Sequence, residues 1–334
     1  MEDDDLDALI INYYYATYVV VSVSTNVLLI FLVKYRSPHS LQSFRILLIN
    51  TAANQIIVAL VETFLQARLL PSNDVLALLP VGPCRHFGPM TCYVAYNVVN
   101  AANVNVAISV LHSMYFRYRL IKTSQLSKRK VQRNLLISSI LPLLILVNPH
   151  IPPYHFDVVM NVTIQSHPEY DLEKYGPFGG FHSVTAPLHF ANSAILLAIA
   201  ITLPTVILYW RSLILKALNE SGESFSERTK KNSRILLKAL TVQALTPLVC
   251  YVPIGFLYFA SQFSGHRFVF VEYFLAIFTT LPCAIDPILT VYFITPYRNW
   301  VARQIRKNMV EKTWAKSRFR IQKNSSSSVT IIKA

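Results

Sequence analysis

The stretch ALIINYYYATYVVVSVSTNVLLIFLV, residues 8–33, runs for 26 positions without an Asp, Glu, Lys or Arg. A helix needs about 20 apolar residues to cross the ~30 Å hydrocarbon core of a bilayer. Six comparable stretches follow: 46–66, with Glu62 near its far end, 90–116, 134–152, 188–210, 239–262 and 268–294, the last carrying Glu272 and Asp286. Backbone groups in lipid must be paired within the protein, so spans of this length are helices. The sequence predicts an all-α membrane protein, a seven-transmembrane helix bundle.

Composition points the same way. Of 334 residues, 53% are hydrophobic and 14% are charged, against about 25% charged in soluble domains. The net charge of +14 admits two readings: a nucleic-acid partner, or cytoplasmic loops crowded with Lys and Arg. Position decides between them. Of the 31 Lys and Arg, 27 fall within 34–45, 117–133, 211–238 and the residues beyond 294. That alternation puts the N-terminus outside and the C-terminus inside, and leaves no separate basic domain to hold nucleic acid. The acidic start (Glu2, Asp3, Asp4, Asp5, Asp7) is unlike the positive region of a signal peptide, so the first span is expected to be retained.

The chain divides into an outer N-terminus (1–9), the bundle (10–294), a short cytoplasmic helix (295–315) and a Ser-rich tail (316–334) expected to be disordered. The short helix is read from Tyr297, Val301, Ile305 and Met309, which recur every four residues, with Arg303, Arg306 and Lys307 elsewhere. Such a helix lies on the cytoplasmic leaflet with membrane lipid as its partner; a soluble tail helix is the alternative. The loop 153–187 is long, polar and outside. It holds the sequon Asn161-Val162-Thr163, so Asn161 is the expected glycosylation site.

Several local patterns sit at corresponding places on the spans. Cys250-Tyr251-Val252-Pro253 in span six resembles C-W-x-P, with Tyr for Trp. Asp286-Pro287 in span seven resembles the start of N-P-x-x-Y, although Thr290 holds the Tyr position. Phe116-Arg117-Tyr118 resembles D-R-Y without its acid, and Arg117 follows Cys92 by 25 residues. Asn26, Pro204 and the run Asn50-Thr51-Ala52-Ala53-Asn54-Gln55 match further positions, with Gln55 replacing an Asp. Together these are similar to the rhodopsin-like receptors. That likeness implies a switch formed by Arg117, Tyr251, Pro253, Asp286 and Pro287; Pro253 removes a helix hydrogen bond beside a large aromatic. The missing acids at Phe116 and Gln55 depart from the usual ionic restraint and sodium site.

The whole chain resembles a narrower group, the class delta nematode serpentine chemoreceptors. The likeness rests on Leu41–Ala52, Gln66-Ala67-Arg68, Gly82-Pro83-Cys84-Arg85-His86-Phe87-Gly88, Cys92, Tyr96-Asn97, Phe116-Arg117-Tyr118, Asp286-Pro287 and Pro296-Tyr297-Arg298. It implies an odorant-type receptor in the plasma membrane of chemosensory neurons, often on cilia. Its partners are then a small-molecule ligand and a heterotrimeric G protein. Loop 153–187 has no Cys, so Cys84 is expected to pair with Cys92 on the outer face; two free thiols are the alternative.

Polar residues inside spans are candidates for ligand contact, because burying them in lipid costs energy. The candidates are Glu62 and Gln66 in span two, Tyr93, Asn97 and Asn100 in span three, and His189 and Asn192 in span five. Tyr251 and Tyr258 in span six and Glu272 and Tyr273 in span seven complete the set. Any of these can instead join helix to helix. H-E-x-x-H, G-x-S-x-G and a metal-setting acidic pair are absent, so no catalytic site, metal or cofactor is expected. A multi-pass transporter is the second reading; paired intramembrane charges and Gly-rich broken helices, which would favour it, are not seen.

Overall fold

A computed structural model describes residues 2–37, 45–72, 74–123, 127–220, 227–264, 269–307 and 309. Seven helical stretches within them are long and apolar enough to cross a membrane. Span one is α1 (Glu2–Tyr35), span two α2 (Arg45–Leu65) and span three α3 (Pro89–Thr123). Span four is made of two pieces, α4 (Lys128–Ser138) and α5 (Ile140–Val147). Spans five, six and seven are α7 (Pro187–Glu220), α8 (Glu227–Ser264) and α9 (Val269–Phe293). Apolar side chains such as Val20, Val249 and Phe256 point outward, 66%, 70% and 74% exposed, as a lipid-facing surface requires.

The division of span four has a local cause. Pro142 lacks the amide that would pair with the Ser138 carbonyl. The Ser138 and Ser139 hydroxyls also donate back to the Asn134 and Leu135 carbonyls at 2.7 and 2.9 Å, competing with the helix ladder. The outer N-terminus expected at 1–9 is helical from Glu2, continuing span one.

The end of the bundle that the charge pattern predicts to be the outer one carries structure that the sequence reading did not hold. Between spans two and three, β1 (Ala67–Ser72) and β2 (Val75–Pro80) form an antiparallel hairpin, and β3 (Gly179–Phe181) of the loop before span five adds to β2. The hairpin alternates with period two. Leu69, Leu76 and Leu78 pack on the bundle side with Cys84, Cys92 and Tyr93. Leu70, Ala77 and Leu79 pack on the other side with Val159, Leu172 and Phe178. Val159 belongs to α6 (Phe156–Ser166), which covers the sheet. At Gly180 an added Cβ would collide with the Leu76 carbonyl oxygen, so the strand approach requires glycine there. The result is a small two-layer cap over the bundle.

At the opposite end, predicted to be the inner one, Leu29, Leu32, Leu47, Phe116, Val131, Ile294 and Tyr297 form one buried cluster. Phe116 therefore fills core where D-R-Y motifs carry an acid, and it packs with Tyr297 from the last helix, α10, residues 295–307. Val301 also packs against this cluster, whereas Ile305 and Met309 are 54% and 59% exposed. The Ser-rich tail, 316–334, lies outside the described residues.

Candidate functional site

Spans three, five, six and seven enclose a cavity of about 440 Å³. Each helix lines it with one face. Span three contributes Asn100, Asn103, Val104 and Ala107, spaced three, four and seven apart as a single helical stripe must be. Span five contributes His189, Ser193, Leu197 and Ala200; span six Tyr251, Gly255, Tyr258 and Gln262; span seven Leu275, Thr279, Pro282, Cys283 and Asp286. Val184 and Thr185, from the segment after β3, border it on the outer side. The lining is mostly apolar with a few convergent polar groups, the usual make-up of a small-molecule pocket.

The floor is polar. The Gln55 amide donates to Asp286 Oδ2 at 3.0 Å, while Asp286 Oδ1 is buried without a hydrogen-bond partner among the described residues. Gln243 donates to Thr290 Oγ1 at 2.6 Å, and the Thr290 hydroxyl donates to the Asp286 carbonyl at 2.8 Å. The floor thus joins spans two, six and seven through one network, and such networks respond as a unit.

Of the expected ligand residues, Asn100, His189, Tyr251 and Tyr258 border the cavity. The others make their contacts elsewhere. Tyr15 donates to Glu62 at 3.3 Å, both buried. Gln66 turns the chain out of span two, with φ of 44°, and donates to Thr63 O at 3.1 Å. Tyr93 donates to Pro149 O at 2.9 Å, and Asn97 donates to Tyr93 O at 2.9 Å. Asn192 ties span five to span four, donating to Ile145 O and accepting from Asn148, each at 3.1 Å. Asn103, Ser193 and Gln243 border the cavity without having been singled out. Asn103 was legible, since it lies three residues from Asn100 on the same helix face.

Glu272 and Tyr273 face the cap. Arg68 Nη2 lies 2.6 Å from Glu272 Oε2, the side chains only 4% and 3% exposed. Tyr170 donates to Glu272 Oε1 at 3.2 Å, and Arg68 donates to Tyr175 at 3.1 Å. The guanidinium sits over the rings of Tyr170 and Tyr273, 4.7 and 4.4 Å from their centroids. Burial and the Glu272 carboxylate together push the Tyr170 phenol up. This latch joins hairpin, outer loop and span seven. Cys84 and Cys92, with Cα atoms 5.4 Å apart, form a disulfide that fastens the turn after the hairpin to the top of span three.

Of the residues expected to switch, Arg117 is buried near the inner end of α3, and Tyr251 and Asp286 border the cavity. Pro253 and Pro287 lie within the continuous helices α8 and α9. Asn161 is on the exposed side of α6.

Residues 11–303, nearly the whole bundle, match the family model described as serpentine type 7TM GPCR chemoreceptor Srd. The chain belongs to the Srd family. Among the relatives of this Srd receptor, serpentine receptor class delta-51 of Caenorhabditis elegans is 32% identical over 90% of this chain and 88% of its own. Serpentine receptor class delta-59 of the same organism is 30% identical over 86% and 88%. Squid rhodopsin superposes with a TM-score of 0.67 at 13% identity, covering 91% of this chain and 87% of its own. At that identity the likeness is one of fold. The family and the seven spans make this Srd receptor a multi-pass chemosensory receptor of the G-protein-coupled type, which displaces the transporter reading.

Proposed function

We propose that this Srd receptor detects an odorant-type small molecule bound in the cavity between spans three, five, six and seven, and passes the signal to a heterotrimeric G protein. The N-terminus is outside, the C-terminus is inside, and the receptor works at the plasma membrane of sensory cilia without catalysing a reaction. One observation carries the reading. The cavity that suits a small molecule is bordered by Tyr251 and Asp286, two of the residues the rhodopsin-like likeness assigns to switching. A ligand shifts an equilibrium only through contacts that differ between two states. Here ligand contact and the helix-joining floor network are the same place.

The experiment is a screen of small odorants on cells expressing the receptor with a G-protein activation readout. A concentration-dependent response that Arg117→Ala removes at matched surface level supports the proposal. Surface-localised receptor that never activates any G-protein class across a broad odorant set, in cells where a control receptor responds, counts against it.

A further inference from the structure

Spans five and six pack together through their inner halves, where Ile207, Ile214 and Leu218 meet Leu237 and Leu240. Their outer halves border the cavity instead. Two cavity-bordering residues of span five are also among the exposed apolar side chains, Phe190 at 63% and Leu197 at 40%. On span six the cavity is bordered by Gly255, where an added Cβ would meet no atom within 4 Å. A side chain at 255 would extend into this space, which the glycine leaves open along the cavity-bordering face of α8.

The outer, aqueous side is built differently. The segment that roofs the cavity is pinned to the hairpin turn. Val184 N donates to Asp74 O at 2.7 Å, and Thr185 donates to Asp74 Oδ1 from its amide at 3.1 Å and its hydroxyl at 2.9 Å. Phe181 lies against His189 with ring centroids 4.1 Å apart, and the buried Arg68–Glu272 pair fixes the cap to span seven. Among the described residues that border the cavity there is no Lys or Arg. An anionic ligand would find no cation there and would meet the Asp286 carboxyl at the floor, and a charged ligand arriving through lipid would cross hydrocarbon at high cost.

We infer that the ligand is an uncharged, largely apolar molecule that partitions into the bilayer and reaches the cavity sideways, between the outer halves of α7 and α8, past Gly255. This rests on the cavity being the ligand site.

The test reads what the cavity wall is continuous with. A spin label is placed at Gly255→Cys, and separately at Leu197→Cys, in full-length receptor carrying Cys250→Ala and Cys283→Ala, reconstituted in phospholipid vesicles. Collisions with oxygen, which concentrates in lipid, are compared with collisions with a nickel chelate, which stays in water. Val249→Cys, on the lipid face of α8, and Thr185→Cys, on the exposed roof, are the references. Both cavity labels are expected to match Val249→Cys. Their oxygen-to-nickel ratio should exceed that of Thr185→Cys at least about tenfold, the effect of ~1.4 kcal/mol of exclusion from hydrocarbon. Labels that follow Thr185→Cys would place the route on the aqueous side, and labels shielded from both probes would mean a closed seam; either overturns the inference. Both would leave the cavity as the ligand site intact, since that is tested by response to a bound agonist.

Discussion

Gln55 on span two and Asp286 on span seven, 231 residues apart in the chain, share a buried hydrogen bond of 3.0 Å beneath the cavity. The rhodopsin-like pattern has the acid on span two and the amide on span seven. Here the two have changed places, and the pairing survives because an amide donates to a carboxylate from either side. Gln55→Leu therefore leaves a buried carboxyl without its donor. A loss of about 2 kcal/mol in stability is expected, from the cost of an unsatisfied buried polar group. Thermal unfolding of the detergent-solubilised receptor checks this. Gln55→Leu combined with Asp286→Leu should unfold at a higher temperature than Gln55→Leu alone.

The cap should depend on the Arg68–Glu272 pair. With both side chains buried, Glu272→Gln strands a guanidinium, and breaking such a pair costs about 3–5 kcal/mol. Receptor retained in the endoplasmic reticulum, measured as a fall in the surface fraction, is the expected outcome. Replacing both partners, Arg68→Met with Glu272→Leu, should restore much of the surface fraction. Equal failure of the double variant would mean that Tyr170 and Tyr175 also need the charges.

Removing the Cys84–Cys92 bond frees a short loop. For a sequence separation of 8, the chain-entropy relation gives about 2.5 kcal/mol. Cys84→Ser and Cys92→Ser should lower thermal stability by that order, and the double variant by no more than either single one. Mass analysis of the thiol-trapped protein before and after reduction should show the bond in wild-type receptor; two trapped thiols without reduction would contradict it.

Orientation has its own test. Asn161 is exposed on α6 while Thr163 is fully buried, its hydroxyl donating to Val159 O at 2.7 Å, so a glycan could be added to this sequon only before the cap closes. A mobility shift lost in Asn161→Gln, with a C-terminal tag accessible to protease only after permeabilisation, is expected. A tag accessible on intact cells would contradict the assigned topology.

The seven spans were legible because lipid imposes the simplest rule in the chain: about 20 apolar residues with cations on alternate sides. The cap was not, because its hairpin strands are only six residues long and sit between two strong helical signals, and its third strand has three residues. A hint was present in two apolar runs flanking Pro71-Ser72-Asn73-Asp74, a turn-forming cluster. The polar residues were legible as costly but not as to their use. Glu272 reads as an intramembrane charge, and only the hairpin shows that Arg68 answers it. Tyr93 and Asn97 lie on the face of span three next to Asn100, yet the Tyr93 hydroxyl goes to Pro149 O, a contact that a pattern along one helix does not reveal, and Asn97 turns back on its own helix to Tyr93 O.

The central claim is that the cavity is where the ligand acts. With an agonist from the odorant screen, its dose–response on wild-type receptor should be compared with that of Asn100→Ala and Gly255→Leu at matched surface expression. Asn100→Ala should raise the half-effective concentration about tenfold, one hydrogen bond of roughly 1.4 kcal/mol. Gly255→Leu, which puts a side chain into the cavity from a position where an added Cβ meets no atom within 4 Å, should abolish the response with little change in thermal stability. Wild-type responses from both variants would show that the agonist binds elsewhere.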